Sequence, residues 1–351
     1  MQGGRVTTVM IEDLEPGSAD AGVPAHFGDP VREQRLLETG VGLVDRSNRE
    51  VIAVPGEERA SWLHTITTQH LSALGAGEGT ELLVLSPNGH IEQHALVAED
   101  GTTAWLDTEP GAGAGLLKYL EMMRFFTRVE PRDATAEIAV LSLVGPGAAE
   151  LFPELTEPRV GAVPDARFAA GSVPPGATSN YAVRPFEGGL ARRVPLGVDL
   201  LVPRARRDEV IEKLGVARAG LWAYEAVRVA RGIPRLGWET DHRTIPAEIG
   251  LMATSVHMEK GCYRGQETVA RVHNLGRPPR RQVLLHLDGV ASDHPPARHT
   301  PVELAGRAVG FIGTAVRHHE LGMVALAVVK RNVPDDADLS VGESAAAIDA
   351  G

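Results

Sequence analysis

The amino-acid sequence predicts an α+β protein: two units of mixed strands and helices followed by a small antiparallel β-barrel, within 351 residues. Three observations predict it. The length exceeds what a single hydrophobic core fills, so the chain should divide into domains. Up to residue 277, strand-like runs, some in hairpin pairs, alternate with helical patterns of roughly ten residues. Beyond the diprolyl segment Arg277-Pro278-Pro279-Arg280-Arg281 only short β-type runs with glycine-containing turns follow.

Residues 1–25 carry acids, glycines and prolines without periodicity and read as a mobile leader holding no site. In the first unit, residues 26–145, a short helix closed by glycine over 33–42 leads into a strand at Leu43-Val44-Asp45. A strand and turn follow at 50–56 and a helix at 57–66. The strand 81–89 runs into the Asn88-Gly89 turn, with 90–97 as its hairpin partner. Trp105-Leu106-Asp107 adds a strand, 112–124 has helical spacing, and 138–144 is a further strand. Such units are ferredoxin-like in type. The second unit, 146–277, opens with a short helix and loops to residue 180, then strands at 181–184 and 197–202 and helices at 207–214 and 221–231. The barrel is expected over 278–340, from runs at 283–287, 301–304, 308–314 and 323–329, and residues 341–351 read as a polar, alanine-rich tail.

Composition narrows the function. A net charge of −11 argues against general affinity for nucleic-acid backbones, and 4% aromatic residues disfavour stacking platforms. No run reaches the length of a membrane span, and the N-terminus lacks the apolar centre of a signal peptide, so the expected location is the cytoplasm, with no membrane partner. The single cysteine rules out an internal disulfide and any site built from several cysteines of this chain.

That cysteine, Cys262, stands in Lys260-Gly261-Cys262-Tyr263-Arg264-Gly265-Gln266-Glu267. Flanking glycines let another molecule approach, and Lys260 and Arg264 favour the thiolate. Cys262 is then a reactive group; alternatively it is one more small buried hydrophobe. A Cys-His pair with His257 or His273 is a third option, about which chain spacing says nothing. A second polar stretch, from Arg228 through Glu239 and Asp241 to Glu248, lies at a helix end and in loops. Taken singly, its acids read as solvated groups or caps.

Together with Lys-Gly-Cys-Tyr-x-Gly-Gln-Glu-x-Val-Ala-Arg at 260–271, with Gly42-Leu43-Val44-Asp45-Arg46-Ser47 and with Gly276-Arg277-Pro278, this stretch resembles the YgfZ-type folate-binding proteins. These are relatives of the aminomethyltransferase (T-protein, GcvT) of the glycine cleavage system. The resemblance implies two α+β units and a C-terminal barrel around a central folate-sized cavity, with tetrahydrofolate or a one-carbon derivative as ligand. It also implies a role in assembly or repair of iron-sulfur enzymes, including tRNA-modifying ones, as protein clients.

Where T-protein carries Gly-x-x-Asp-Asp, the matching positions are Glu92 and Gln93, and where it carries Arg-x-Glu-x-Gly, Ala230 replaces the glutamate. An amide cannot take up a proton as a carboxylate does, which sets aminomethyl transfer of the T-protein kind in question. The resemblance makes Cys262 and Lys260 the catalytic candidates. Gln93, Arg228, Glu239, Tyr263 and Gln266 are the cofactor-binding ones, and no metal ligand is expected. Arg264, Arg271, Arg277, Arg280 and Arg281 form a basic stretch that is either a solvated loop or a site for the glutamate tail of folate or an acidic partner. Three functions stay open: a folate-binding iron-sulfur accessory protein, a folate-dependent one-carbon transferase, and a protein-binding scaffold.

Overall fold

The Asn88-Gly89 turn, with Gly89 at φ +79°, closes a hairpin between strands Glu78–Leu85 and Ile91–Glu99. In this computed structural model, which describes residues 7–155, 181–289 and 294–349, strands Thr103–Thr108 and Glu50–Pro55 extend the hairpin. Helices Arg59–Ile66 and Gly113–Met122 cover one face and bury Trp62, Leu63, Leu116 and Leu120 against Leu82, Val84, Val97 and Leu106. At about 1.5–3 kcal/mol for each large apolar side chain removed from water, this layer is the stabilising unit of the first half.

The second half pairs Gly42–Asp45 with Ile138–Val144, and then Gly197–Pro203, Gly189–Val194 and Tyr181–Phe186 in turn. Tyr181 pairs with Gly79 and Ala182 with Glu78, so both halves form one sheet of eleven strands among the described residues. The helix Ala148–Leu151 meets the expectation of a short helix there. The loops expected up to residue 180 lie outside the described residues from 156 onward.

The leader reading needs correction. Residues 1–6 lie outside the described part, but Val9–Met10 pairs with Pro24–His26, and Ile11, Val23 and Ala25 are buried against helix Leu221–Ala230. The order of this segment comes from tertiary packing, which local periodicity cannot reveal. Helix Pro30–Thr39 packs beside it. Its Asp29 cap accepts from Arg32 N, and buried Glu33 accepts from Phe27 N and Gly220 N.

Strands Arg280–Leu287, Gly322–Lys330, Arg307–His318, Pro301–Leu304, Leu339–Val341 and Ser344–Ile348 close a six-stranded barrel. Val283, Leu285, Ala325 and Ala327 fill its interior, whereas the alternate residues Leu284, Val324 and Leu326 pack outward on Val229. The outward set docks the barrel on the α+β body. The stretch read as a tail supplies the closing strand: alanine has low strand propensity, but Ala346 and Ile348 face inward and the backbone pairs on both sides. A helix at Gln266–Leu275, for which the sequence reading has no counterpart, follows the cysteine loop directly.

Candidate functional site

A cavity of about 360 Å³ lies where the sheet, helix Leu221–Ala230, the loops at 231–235 and 247–254 and the start of the barrel meet. Its apolar wall includes Leu96, Leu196, Ile249 and Leu251. Exposed Arg231 and His273 are also on the wall and mark where it opens to solvent.

The polar side of the wall belongs to a buried ion-pair chain. Arg192 bonds Asp107 at 2.7 Å and Asp199 at 3.0 Å, Arg49 bonds Asp107 at 2.8 Å and Glu109 at 2.6 Å, and Arg235 bonds Glu109 at 2.7 Å and Asp20 at 2.8 Å. Each ion removed from water costs several kcal/mol, so the arrangement persists because every charge has partners. Burial opposes ionisation of Asp107, yet Arg192 and Arg49 hold its carboxyl down at about 2. Glu109 is held lower still, against its burial, by Arg235 and Arg49. A preorganised polar wall beside apolar surface suits a flat, polar-edged ligand.

Arg228, on the last turn of helix Leu221–Ala230, lines the cavity. Its Nε donates to Glu225 at 2.9 Å, Nη1 to the Ile233 carbonyl at 2.8 Å and to Glu239 at 3.4 Å, and Nη2 to Glu225 at 2.6 Å and to Thr314. All five guanidinium N–H groups are thus taken, and Arg228 contributes shape and field to the wall. Glu239 stands behind it, fully buried, accepting from Arg235 N at 2.7 Å and Thr314 N at 2.8 Å, which ties the loop to the barrel.

Gln93 does not face the cavity. It shares a strand face with Ala95 and Val97, under the helices, beside Gly115, and its Oε1 has no partner among the described residues. The next residue, His94, points the other way and lines the cavity together with Leu96. Glu92, the other motif position, is exposed and paired with Arg264 at 3.0 Å.

In the cysteine loop, Cys262 is exposed and is not on the cavity wall. Lys260 is buried and donates to the carbonyls of Thr67 at 2.5 Å, of Gln69 at 3.2 Å and of His64. Its three donors therefore cap the end of helix Arg59–Ile66, and none is left for the thiol. Burial pushes the Lys260 ammonium down to about 8. Tyr263 is buried with Leu83, Leu85 and Ile249 behind the wall, its hydroxyl without a partner among the described residues, and burial pushes its pKa up. Gln266 Nε2 donates to the Lys260 carbonyl at 3.2 Å and closes the loop on itself. Gly265, at φ +83°, meets the hairpin turn so closely that a Cβ there would lie 2.7 Å from the Ser86 carbonyl.

Of the basic stretch, Arg280 is locked between Asp241 and Glu248, both at 2.8 Å, Arg281 lines the cavity and pairs with Asp335, and Arg264 holds Glu92. Asp241 is partly desolvated, yet bonds from Arg280 and Thr244 hold its carboxyl well below the carboxylate range. Glu248 also caps Ile245 N at 3.1 Å, so these acids are structural partners of Arg280.

Sequence reasoning missed the wall residues Arg46, Arg49, Glu81, His94, Glu109 and Arg235. The polar cluster Asp45-Arg46-Ser47-Asn48-Arg49 at a strand end was the available signal. Elsewhere, Glu38 lies 3.1 Å from His318 Nε2 and also meets His319 Nε2. His318 Nδ1 accepts backbone N–H from Glu320 and Leu321, so Nε2 carries its proton toward Glu38 and offers no lone pair to a cation.

The architecture is a GcvT-like α+β fold. The chain superposes on the crystal structure of glycine cleavage system aminomethyltransferase T from Bartonella henselae over 97% of this chain and 96% of that one, with TM-score 0.74 and 17% identity, a likeness of fold. Residues 23–186 match the family described as the GCVT N-terminal domain. An aminomethyltransferase of Parasynechococcus marenigrum (strain WH8102) is 25% identical over 304 residues, 83% of this chain and 79% of that one. A chloroplastic protein of Arabidopsis thaliana, named provisionally as a transferase, is 26% identical over 261 residues, 72% of this chain; the chain spans 58% of that relative's length. Among the described residues, no helix is long and apolar enough to cross a membrane.

Proposed function

We propose that this chain binds tetrahydrofolate, or a one-carbon derivative of it, in the central cavity. The observation that carries the reading is the cavity itself: about 360 Å³, apolar on one side and edged by paired charges, inside a GcvT-like fold. Pockets of roughly 300–1,000 Å³ with few fixed polar groups are the usual form of a small-molecule site. Relatives named as aminomethyltransferases support the same ligand class. Calorimetric titration with tetrahydrofolate and its 5-formyl form, on the wild type and on Arg228→Ala, tests it. Saturable binding weakened by Arg228→Ala is expected; no binding at high micromolar folate would leave the scaffold reading.

The finer proposal is an accessory role, in the cytoplasm, in assembly or repair of iron-sulfur proteins, tRNA-modifying enzymes among them. The exposed Cys262 favours it, because a thiol off the cavity wall is placed for a protein client. A Cys262→Ser chain that fully restores iron-sulfur enzyme activity in a deletion strain would remove the thiol from this role. Folate-dependent one-carbon transfer is the second reading, favoured by the names of the relatives, and turnover of an aminomethyl donor by the purified protein would establish it.

A further inference from the structure

Glu81 and His94 lie on neighbouring strands of the central hairpin, and both line the cavity. His94 Nε2 is 3.0 Å from Glu81 Oε2, which also accepts from Thr254 Oγ1 and Ser255 Oγ at 3.0 Å, while Oε1 accepts from Tyr181 Oη. Four donors from three separate segments converge on one carboxylate and saturate it.

Burial opposes its ionisation, but the bond from His94, with those from Tyr181 and Ser255, holds it down at about 2. An ionised carboxylate only accepts. His94 Nε2 therefore carries a proton toward Glu81, and it is the Nε2–H tautomer of the ring that leaves a lone pair on Nδ1. No described residue bonds to Nδ1, and that atom is not among the buried orphans, so it is open to the cavity that His94 lines. The buried charges on this wall are engaged, Arg46 with Asp199, Arg49 with Glu109 and Arg228 with Glu225, and the remaining free groups, Arg231 and His273, stand exposed at its mouth.

We infer that His94 Nδ1 is the cavity's proton acceptor, bonding an N–H of a reduced-pterin ligand, with Glu81 as the residue that positions it. The inference rests on the folate reading for the identity of the ligand.

Nitrogen-15 NMR of the histidine-labelled full chain tests it. The unliganded protein should show His94 with a bare Nδ1 and a protonated Nε2, and saturating tetrahydrofolate should move the Nδ1 resonance. His94→Gln keeps a donor against Glu81 and lacks the second nitrogen; its affinity for tetrahydrofolate should fall about tenfold, the loss of one hydrogen bond to a ligand group. A protonated Nδ1 in the unliganded chain overturns the inference, as does an Nδ1 resonance unmoved by bound tetrahydrofolate or equal affinity of the variant. Wild type that binds no folate removes the ligand assigned to His94 together with the folate reading. The tautomer, measured without ligand, separates that failure from an error about the ring.

Discussion

Asp20 and Arg235 stand 215 residues apart in sequence and are joined by two hydrogen bonds of 2.8 and 3.0 Å, both side chains buried. This pair fastens the N-terminal segment to the loop that walls the cavity. Arg235 keeps Glu109 and Glu225 when Asp20 is lost, so no charge is stranded. Asp20→Ala should therefore cost about 2 kcal/mol, the worth of a charge-assisted hydrogen bond, and less than breaking an isolated buried pair. Denaturant unfolding measures it. A loss under about 0.5 kcal/mol, the range of ordinary surface changes, would mean that the segment is only draped on the body.

Glu81 makes acid stability readable. Its carboxyl titrates near 4.5 in an unfolded chain and at about 2 here, so its contribution is complete above pH 4.5 and disappears as pH falls toward 2. The shift corresponds to about 3 kcal/mol. Between those pH values the wild type should lose about that much more stability than Glu81→Gln, as equilibrium unfolding across the range would show. Parallel curves for the two proteins would contradict the buried, saturated carboxylate.

Lys260 caps a helix end with three carbonyl acceptors. Lys260→Met fills the same space and leaves those oxygens unpaired, so stability should fall by about 3 kcal/mol. Because the loop leans on this anchor, Cys262 in the variant should also change its rate of alkylation. An unchanged melting temperature and alkylation rate would refute the anchoring role.

Cys262 itself is exposed and contributes no packing. Cys262→Ser should alter stability by less than about 0.5 kcal/mol and leave folate affinity as it was. Intact wild type should react stoichiometrically with a small alkylating reagent. Protection of the thiol by bound folate would instead bring the cysteine to the cavity.

The legible and illegible parts of this molecule divide along physical lines. Local chemistry announced itself: the Asn88-Gly89 hairpin, the helix over Leu221–Ala230 and the short barrel strands follow from turn residues and periodicity. Arg228 was named from the family motif, and that motif sits on the helix that walls the cavity. Gln93 illustrates the limit, since a motif fixes a position along a strand and not the face that position occupies. Each face of Ile91–Glu99 mixes polar and apolar side chains, so alternation gave no sign that His94 and not Gln93 meets the cavity. Glu81 could be paired with His94 only once the strand register was known. Asp20 and Glu109 meet through Arg235, a shared partner no local pattern names.

The ladder running through Tyr181 and Gly79 bears on how the molecule can breathe. Because the two halves are joined edge to edge at Tyr181–Gly79 and Ala182–Glu78, with Val183 N bonded to the Gly77 carbonyl, rocking them apart like jaws would break those backbone bonds together. Traffic to the interior must instead pass the loop side, by Arg231 and His273, where small local excursions suffice. Crosslinking the sheet halves should leave ligand exchange rates intact, whereas stapling those loops should slow them.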